Sequence, residues 1–295
     1  MVCRGLMALA VLFVGIALGP AAKAQDNQTI RLYAFSSGAL TIGKGSLVNL
    51  APMEPPIQIP VGFYVIRHPK GNVLFDTGNN DRIITDPSYW GAAFNALRPV
   101  NTPDVAIDTQ LRRIGLTPND INYVVVSHLH LDHGGNVAKF PNSTIIVQKS
   151  EIQNAFWPEP GTGGPYMIGD VMPLRSANTD NPNAVKMIQL NGDFDIFGDG
   201  TLVVKRWVAH TPGSQMMVVR LKNTGPVILT GDNVYMRENV EKNVPPNITL
   251  AYSPTGYFRA FEWIRYMMAT EHANFFTAHD PDAFKAMKKA PEFYD

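Results

Sequence analysis

Cysteine is almost missing from this sequence: among 295 residues there is one, Cys3. It stands ahead of an apolar stretch that reads as part of an export signal. A processed chain would therefore have no disulfide, no thiolate metal ligand and no cysteine nucleophile. Charge is also scarce, at 17% of residues, against the roughly 25% usual for soluble domains. Lys and Arg together balance Asp and Glu at 25 each, and no Lys/Arg run breaks the balance. Nucleic-acid binding would call for a basic stripe, so no nucleic-acid partner is expected. No apolar run reaches the roughly 20 residues that span a bilayer, so no stable membrane anchor is expected either. Internal repeats and low-complexity tracts are lacking, and nothing divides the chain into units. Hydrophobic residues, by contrast, make up 45% of the sequence, enough to bury one large core.

The first 24 residues resemble a secretory signal peptide. Arg4 supplies the positive start, Leu6 to Leu18 an apolar stretch of 13 residues, and Ala22-Lys23-Ala24 a small-residue cleavage site. Cleavage there removes Arg4 and Lys23 and leaves a slight acidic excess. The expected organisation is a signal peptide at 1–24, a single catalytic domain at 25–295, and a periplasmic or extracellular location. Without cysteine, such a chain relies on its core or on bound metal for stability.

Short apolar runs at Phe63–Arg67 and Val73–Phe75 flank the turn Pro69-Lys70-Gly71-Asn72 and predict a hairpin. Further strands are predicted at Asn122–Ser127, Thr144–Gln148, Leu202–Val208, Met216–Leu221, Val227–Thr230 and Asn274–Thr277. Ile107, Leu111 and Ile114 follow a helical spacing that ends at Gly115, and Phe258, Phe261, Ile264 and Met268 suggest a second helix. Strands with interspersed helices predict an α/β layered domain. Pro and Gly cluster at 51–62 and 158–173, which reads as two long surface loops.

Histidine placement carries the chemistry. His128, His130, Asp132 and His133 follow a predicted strand and precede Gly134-Gly135. His210, Asp232 and His279 each follow another strand, so four strands deliver ligand-type residues at their carboxyl ends. His128 and His130 point the same way in an extended exit and suit one cation. Asp132 and His133 suit a second, with His210 completing the first site, His279 the second, and Asp232 shared. Imidazole and carboxylate ligands without sulfur point first to Zn²⁺, and also suit Mn²⁺, Fe²⁺ or Co²⁺. His68, by a hairpin turn, and His272, after a helix end, read as ordinary polar residues.

His128 to His133, with the later His210, Asp232 and His279 and the run Leu74-Phe75-Asp76-Thr77-Gly78, resembles the metallo-β-lactamase superfamily. The resemblance implies an αββα sandwich with a dinuclear metal centre at one edge of two sheets. Within the superfamily the chain is most similar to N-acyl homoserine lactone lactonases, through Asp232-Asn233-Val234-Tyr235, His210-Thr211-Pro212-Gly213-Ser214-Gln215 and the tail Pro291-Glu292-Phe293-Tyr294. One departure is Val208-Ala209, where a Pro-Gly pair is common in that group.

That likeness implies a hydrolase that opens a lactone ring with a metal-bridging hydroxide as nucleophile. Tyr235 would steady the developing oxyanion, and Asp132 would act as general acid as well as ligand. Asp76 is a candidate either for orienting a ligand histidine or for forming a turn. Trp90 and Phe94, four apart, could share a helical face beside the acyl chain; Phe156, Trp157, Met167 and Tyr257 are further candidates, with core packing the competing reading for each. A phosphotriesterase, a β-lactamase, a pyridoxolactone-type lactonase and a non-catalytic binding module are the alternatives. The small-molecule partner is a lactone, and the composition suits a monomer or a homodimer.

Overall fold

In the computed structural model, which describes residues 29–159, 165–175 and 185–295, two sheets lie at the centre. The candidate signal peptide at 1–24 lies outside the described residues. The first sheet holds β1 (Arg31–Ile42), β2 (Ile57–His68), β3 (Gly71–Phe75), β4 (Ile121–Val125), β5 (Thr144–Gln148) and β6 (Lys186–Leu190), side by side in that order. The second holds β7 (Phe194–Asp195), β8 (Leu202–Arg206), β9 (Gln215–Leu221), β10 (Gly225–Leu229) and β11 (Asn274–Phe276), again in sequential order.

Strand alternation sorts the side chains into layers. Val73, Phe75, Val125 and Ile146 of the first sheet meet Met217, Val219, Val227 and Leu229 of the second in a core between the sheets. Their neighbours Leu74, Val124, Ile145 and Val147 face outwards, where Ile107 and Leu111 of the helix Ile107–Arg112 and Ile152 of the helix Lys149–Phe156 cover them. Met216, Val218 and Ile228 face the other way and are covered by Phe261 and Ile264 of the helix Pro254–Glu271. The layers are helix, sheet, sheet, helix, as the family resemblance implied. Each fully buried side chain of this size contributes about 1.5–3 kcal/mol.

Several boundaries differ from the sequence reading. β1 was not expected, and Ser36, Ser37 and Gly38 lie at a bulge inside it, where the register with β2 shifts between Ser36 and Ala39. Residues 57–62, expected in a loop, extend β2. Pro60 is tolerated because it pairs with Ala39 of β1, while β3 joins β2 only from Tyr64 onwards. Part of the second expected loop forms the short helix Ile168–Val171. The long helix begins earlier than its apolar pattern, at Pro254, with the Ser253 hydroxyl accepting from Gly256 N. Its buried seam runs through Tyr257, Ala260, Phe261, Ile264 and Met267, whereas Phe258 is exposed.

Strand direction then positions the site. β3 and β4 are parallel, and so are β10 and β11; β8 runs with β10 because both are antiparallel to β9. The segments after these five strands therefore leave together at one rim of the sandwich, as crevices in parallel sheets do.

Candidate metal centre

Five strand exits supply the rim: Asp76 after β3, His128 to His133 after β4, His210 after β8, Asp232 after β10 and His279 after β11. The β4 exit folds back on itself, with His133 N and Gly134 N both donating to His130 O at 3.0 and 2.9 Å. This tight turn packs against the β3 exit, where Thr77 N donates to His133 O at 2.7 Å. Gly135 makes the approach feasible, since a Cβ there would lie 2.4 Å from Asn80 N and 2.5 Å from Gly78 O.

The seven candidate ligands converge in two groups. In the first, His128 Nε2 is 3.1 Å and His210 Nε2 2.9 Å from His130 Nδ1. In the second, His133 Nε2 and His279 Nε2 are 3.1 Å apart, and Asp132 Oδ2 lies 3.8 and 3.5 Å from them. Asp232 stands between the groups: Oδ1 is 3.1 Å from both His133 Nε2 and His279 Nε2, while Oδ2 is 3.5 Å from His210 Nε2 and 3.9 Å from His128 Nε2. His68 and His272 stay outside; His68 stacks on Phe197 and accepts from Lys70 N, and His272 caps the long helix.

Hydrogen bonds on the far side of three of the five rings show that their inner nitrogens fit cations. His210 Nδ1 donates to Leu250 O and His279 Nδ1 to Pro60 O, both at 2.8 Å, and His133 Nδ1 meets Asp76 Oδ2 at 2.9 Å. Each Nδ1 thus carries a proton, which leaves Nε2 as a lone pair aimed into the site. Lone pairs on His133, His279 and Asp232 Oδ1 nevertheless crowd together, and Asp232 Oδ1 is buried without a hydrogen-bond partner. A positive charge among them resolves both problems. Nitrogens bound tetrahedrally to one Zn²⁺ lie about 3.3 Å apart, close to the spacings of the first group.

Burial dominates the titration of the first group. It pushes His128 and His130 well below the usual histidine range and His210 below it, so these rings are neutral and suited to bind a cation. For His133 and His279 burial acts in the same direction, but Asp232 and Asp132 outweigh it and raise both. A divalent cation would therefore compete with protons for this negative pocket.

A cavity opens from this centre. His130, Asp132, His210, Asp232, Tyr235 and His279 line one end, and Leu40, Ile42, Leu47, Ile59, Leu97, Ile248, Leu250 and Tyr252 contribute to its walls. The Tyr235 hydroxyl is 3.1 Å from His210 Nδ1. Burial, with the charge of Asp232 next, pushes its pKa well up, so it remains a donor. None of the six aromatic and methionine candidates is among the described residues that line the cavity. Trp90 and Phe94 do not share a helix, because Trp90 closes one turn and Gly91, with φ of 53°, separates it from the helix Ala92–Leu97. Trp90 and Tyr257 are buried, and Phe94 and Met167 half-buried, in the core behind the cavity walls. Phe156 packs on the outer face of the first sheet, and Trp157 is 78% exposed.

Two supporting residues escaped the sequence reading. Ser127 donates its hydroxyl to Asp76 Oδ2 at 2.8 Å and lies 3.0 Å from His128 Nδ1. Glu151 sits fully buried beneath the first group. A single serine and a single glutamate carry no pattern that singles them out. The aliphatic walls had no signal either, since β1 itself was not recognised.

Comparison with known proteins agrees with this geometry. Residues 59–279 match the family described as the metallo-beta-lactamase superfamily. The chain is 36% identical over 271 residues to the N-acyl homoserine lactonase AttM of Azorhizobium caulinodans, covering 90% of this chain and 99% of the relative. It is 37% identical over 270 residues to AttM of Agrobacterium fabrum, covering 90% and 98%. A solved N-acyl homoserine lactone hydrolase, with N-hexanoyl-L-homoserine bound at its catalytic metal centre, superposes with a TM-score of 0.76 at 24% identity, covering 90% of this chain and 99% of that one.

Proposed function

The chain belongs to the metallo-beta-lactamase superfamily, and from that membership we propose that it is a dinuclear metal hydrolase that opens the lactone ring of N-acyl homoserine lactones and so quenches quorum signals. The observation that carries this reading is the pair of ligand groups joined by Asp232, set at the polar end of an otherwise largely aliphatic cavity. The names and coverage of the relatives support the substrate class. His128, His130 and His210 would hold one cation and Asp132, His133 and His279 the other, with Asp232 between the two groups. The sulfur-free donor set favours Zn²⁺.

When bound, the two cations supply a water-derived nucleophile at neutral pH and Lewis acidity toward a carbonyl oxygen. The protein groups do the rest. Tyr235, kept protonated, donates to the lactone carbonyl oxygen as negative charge grows on it. Asp132, at the cavity edge, accepts a proton during attack and returns it to the ring oxygen as the C–O bond breaks. The aliphatic walls take the acyl chain out of water. Asp76 fixes the ring of His133.

The test is a substrate panel on one metal-loaded preparation: short and long acyl homoserine lactones, γ-lactones, a pyridoxolactone, nitrocefin and a phosphotriester, with acid release reporting ring opening. Acyl homoserine lactones should be the fastest. Preference for nitrocefin or the phosphotriester would overturn the substrate assignment.

Export belongs to the same proposal. Arg4, the apolar stretch Leu6 to Leu18 and Ala22-Lys23-Ala24 support cleavage after Ala24 and a periplasmic or extracellular enzyme. Among the described residues no helix is long and apolar enough to cross a membrane. Mass spectrometry of the expressed protein should find Gln25 at the amino terminus; an intact Met1 would contradict export by cleavage.

A further inference from the structure

Glu151 is a fully buried carboxylate that the chemistry above leaves unused. It lies in the first turn of the helix Lys149–Phe156, and every group that holds it is neutral. Oε1 accepts from Leu129 N and from the Tyr166 hydroxyl, both at 2.9 Å. Oε2 accepts from Thr211 Oγ1 at 2.6 Å, and Gly213 N also donates to the carboxylate. Burying an acid without a cationic partner is costly, and four donors are what makes it tolerable here.

The identity of those donors matters more than their number. Leu129 stands between His128 and His130, and Thr211 follows His210. The ring of Tyr166 packs edge-on against His130, with centroids 4.6 Å apart. The loop after His210 presses directly on the helix, since a Cβ on Gly213 would lie 2.2 Å from Glu151 N and 2.4 Å from Glu151 Cβ. One carboxylate thereby ties together the exit after β4, the exit after β8 and the aromatic against His130. Support for the second group comes from elsewhere: Asp76 meets His133, and Pro60 O accepts from His279.

We infer that Glu151 is a positioning residue for the cation site of His128, His130 and His210, and that it acts on this site and not on the other. The inference rests on the reading that the two groups hold cations. A carboxylate suits the position because it is acceptor-only; the amide of glutamine would turn N–H groups toward donors on one side. Glu151 then braces the first site alone, while Asp76 meets His133 of the second directly and reaches His128 of the first only through Ser127.

The experiment compares wild type, Glu151→Gln and Tyr166→Phe, the last keeping the ring on His130 while losing one donor. Each zinc-loaded protein is titrated with a chelator of known affinity, and anomalous scattering at the zinc edge locates the metal in crystals of chelator-treated protein. Glu151→Gln should weaken one of two bound zinc ions by about 10- to 100-fold, the range for losing an outer hydrogen-bond partner. The lost density should lie among His128, His130 and His210, with the other position unchanged. Tyr166→Phe should shift the same site in the same direction by less. Equal weakening at both positions, or none, overturns the inference. If Glu151→Gln does not fold, an unchanged first site in Tyr166→Phe overturns it alone. Wild type holding fewer than two zinc ions would instead sink the underlying two-cation reading.

Discussion

Asp76 Oδ2 and His133 Nδ1 form a buried contact of 2.9 Å, while Asp76 Oδ1 accepts from Ser127 N at 2.6 Å. The aspartate therefore fixes the imidazole and the strand exit that carries it. Its backbone is left-handed, with φ of 62°, a conformation that Asn also accepts readily. Asp76→Asn should keep the turn but set an amide N–H against the ring N–H. Zinc affinity at the second group should fall by about 10- to 100-fold. Chelator titration measures this, and an unchanged affinity would show that Asp76 only shapes the turn.

Removing the Tyr235 hydroxyl separates catalysis from metal binding. Tyr235→Phe should lower kcat by about 100- to 1,000-fold, the cost of losing one oxyanion donor. Metal content should stay at the wild-type level, because the seven ligands are untouched. Steady-state kinetics beside elemental analysis decides it; unchanged turnover would remove Tyr235 from the chemistry.

Walls and backing should respond differently to truncation. Leu97 lines the cavity and is half-buried, so Leu97→Ala should change the kcat/KM ratio of long to short acyl chains by about 10-fold or more, with little loss of stability. Trp90 is buried behind the wall, and Trp90→Ala should cost about 3–5 kcal/mol in stability. Chain-length profiles and denaturant unfolding of the two variants check the contrast. A flat profile for Leu97→Ala would move the acyl site elsewhere.

Stability should also fall between about pH 4 and pH 7 because of Asp170. Burial pushes this carboxyl up to about 7, against the lowering effect of hydrogen bonds from Tyr89 and Asn80. Between the unfolded and folded pKa values the folded chain binds the extra proton, so the contribution of Asp170 is full below about pH 4 and is lost as pH rises towards 7. Asp170→Asn keeps an oxygen for both donors, which meet Asp170 Oδ1 at 2.6 Å. The fall, up to about 4 kcal/mol, should disappear from the variant. Chemical unfolding across that range measures the difference, and parallel curves for the two proteins would refute it.

The part of the site readable in sequence is the part whose residues are both chemically distinctive and set by strand ends. Four ligand-type residues crowd into the run from His128 to His133, and His210, Asp232 and His279 each follow a short apolar strand. What stayed hidden depends on tertiary neighbours. β1 went unrecognised because local preference cannot anticipate a bulge at Ser36 to Gly38 paired with β2, and Pro60 looks like a loop because its open side shows only in the assembled sheet. The aromatic and methionine candidates had the bulk for an acyl pocket, yet bulk buried four of them at least partly behind the walls, while ordinary aliphatics such as Leu40 and Ile59 face the cavity. Glu151, alone on a short helix, resembles a surface acid until Leu129, Tyr166, Thr211 and Gly213 fold around it.

Metal stoichiometry bears on the centre most directly. Elemental analysis of protein prepared without chelators, set against an independent protein concentration, should give two zinc ions per chain. A value near one, or apoprotein that hydrolyses lactones as fast as the zinc-loaded form, would contradict a dinuclear centre built on His128, His130, Asp132, His133, His210, Asp232 and His279.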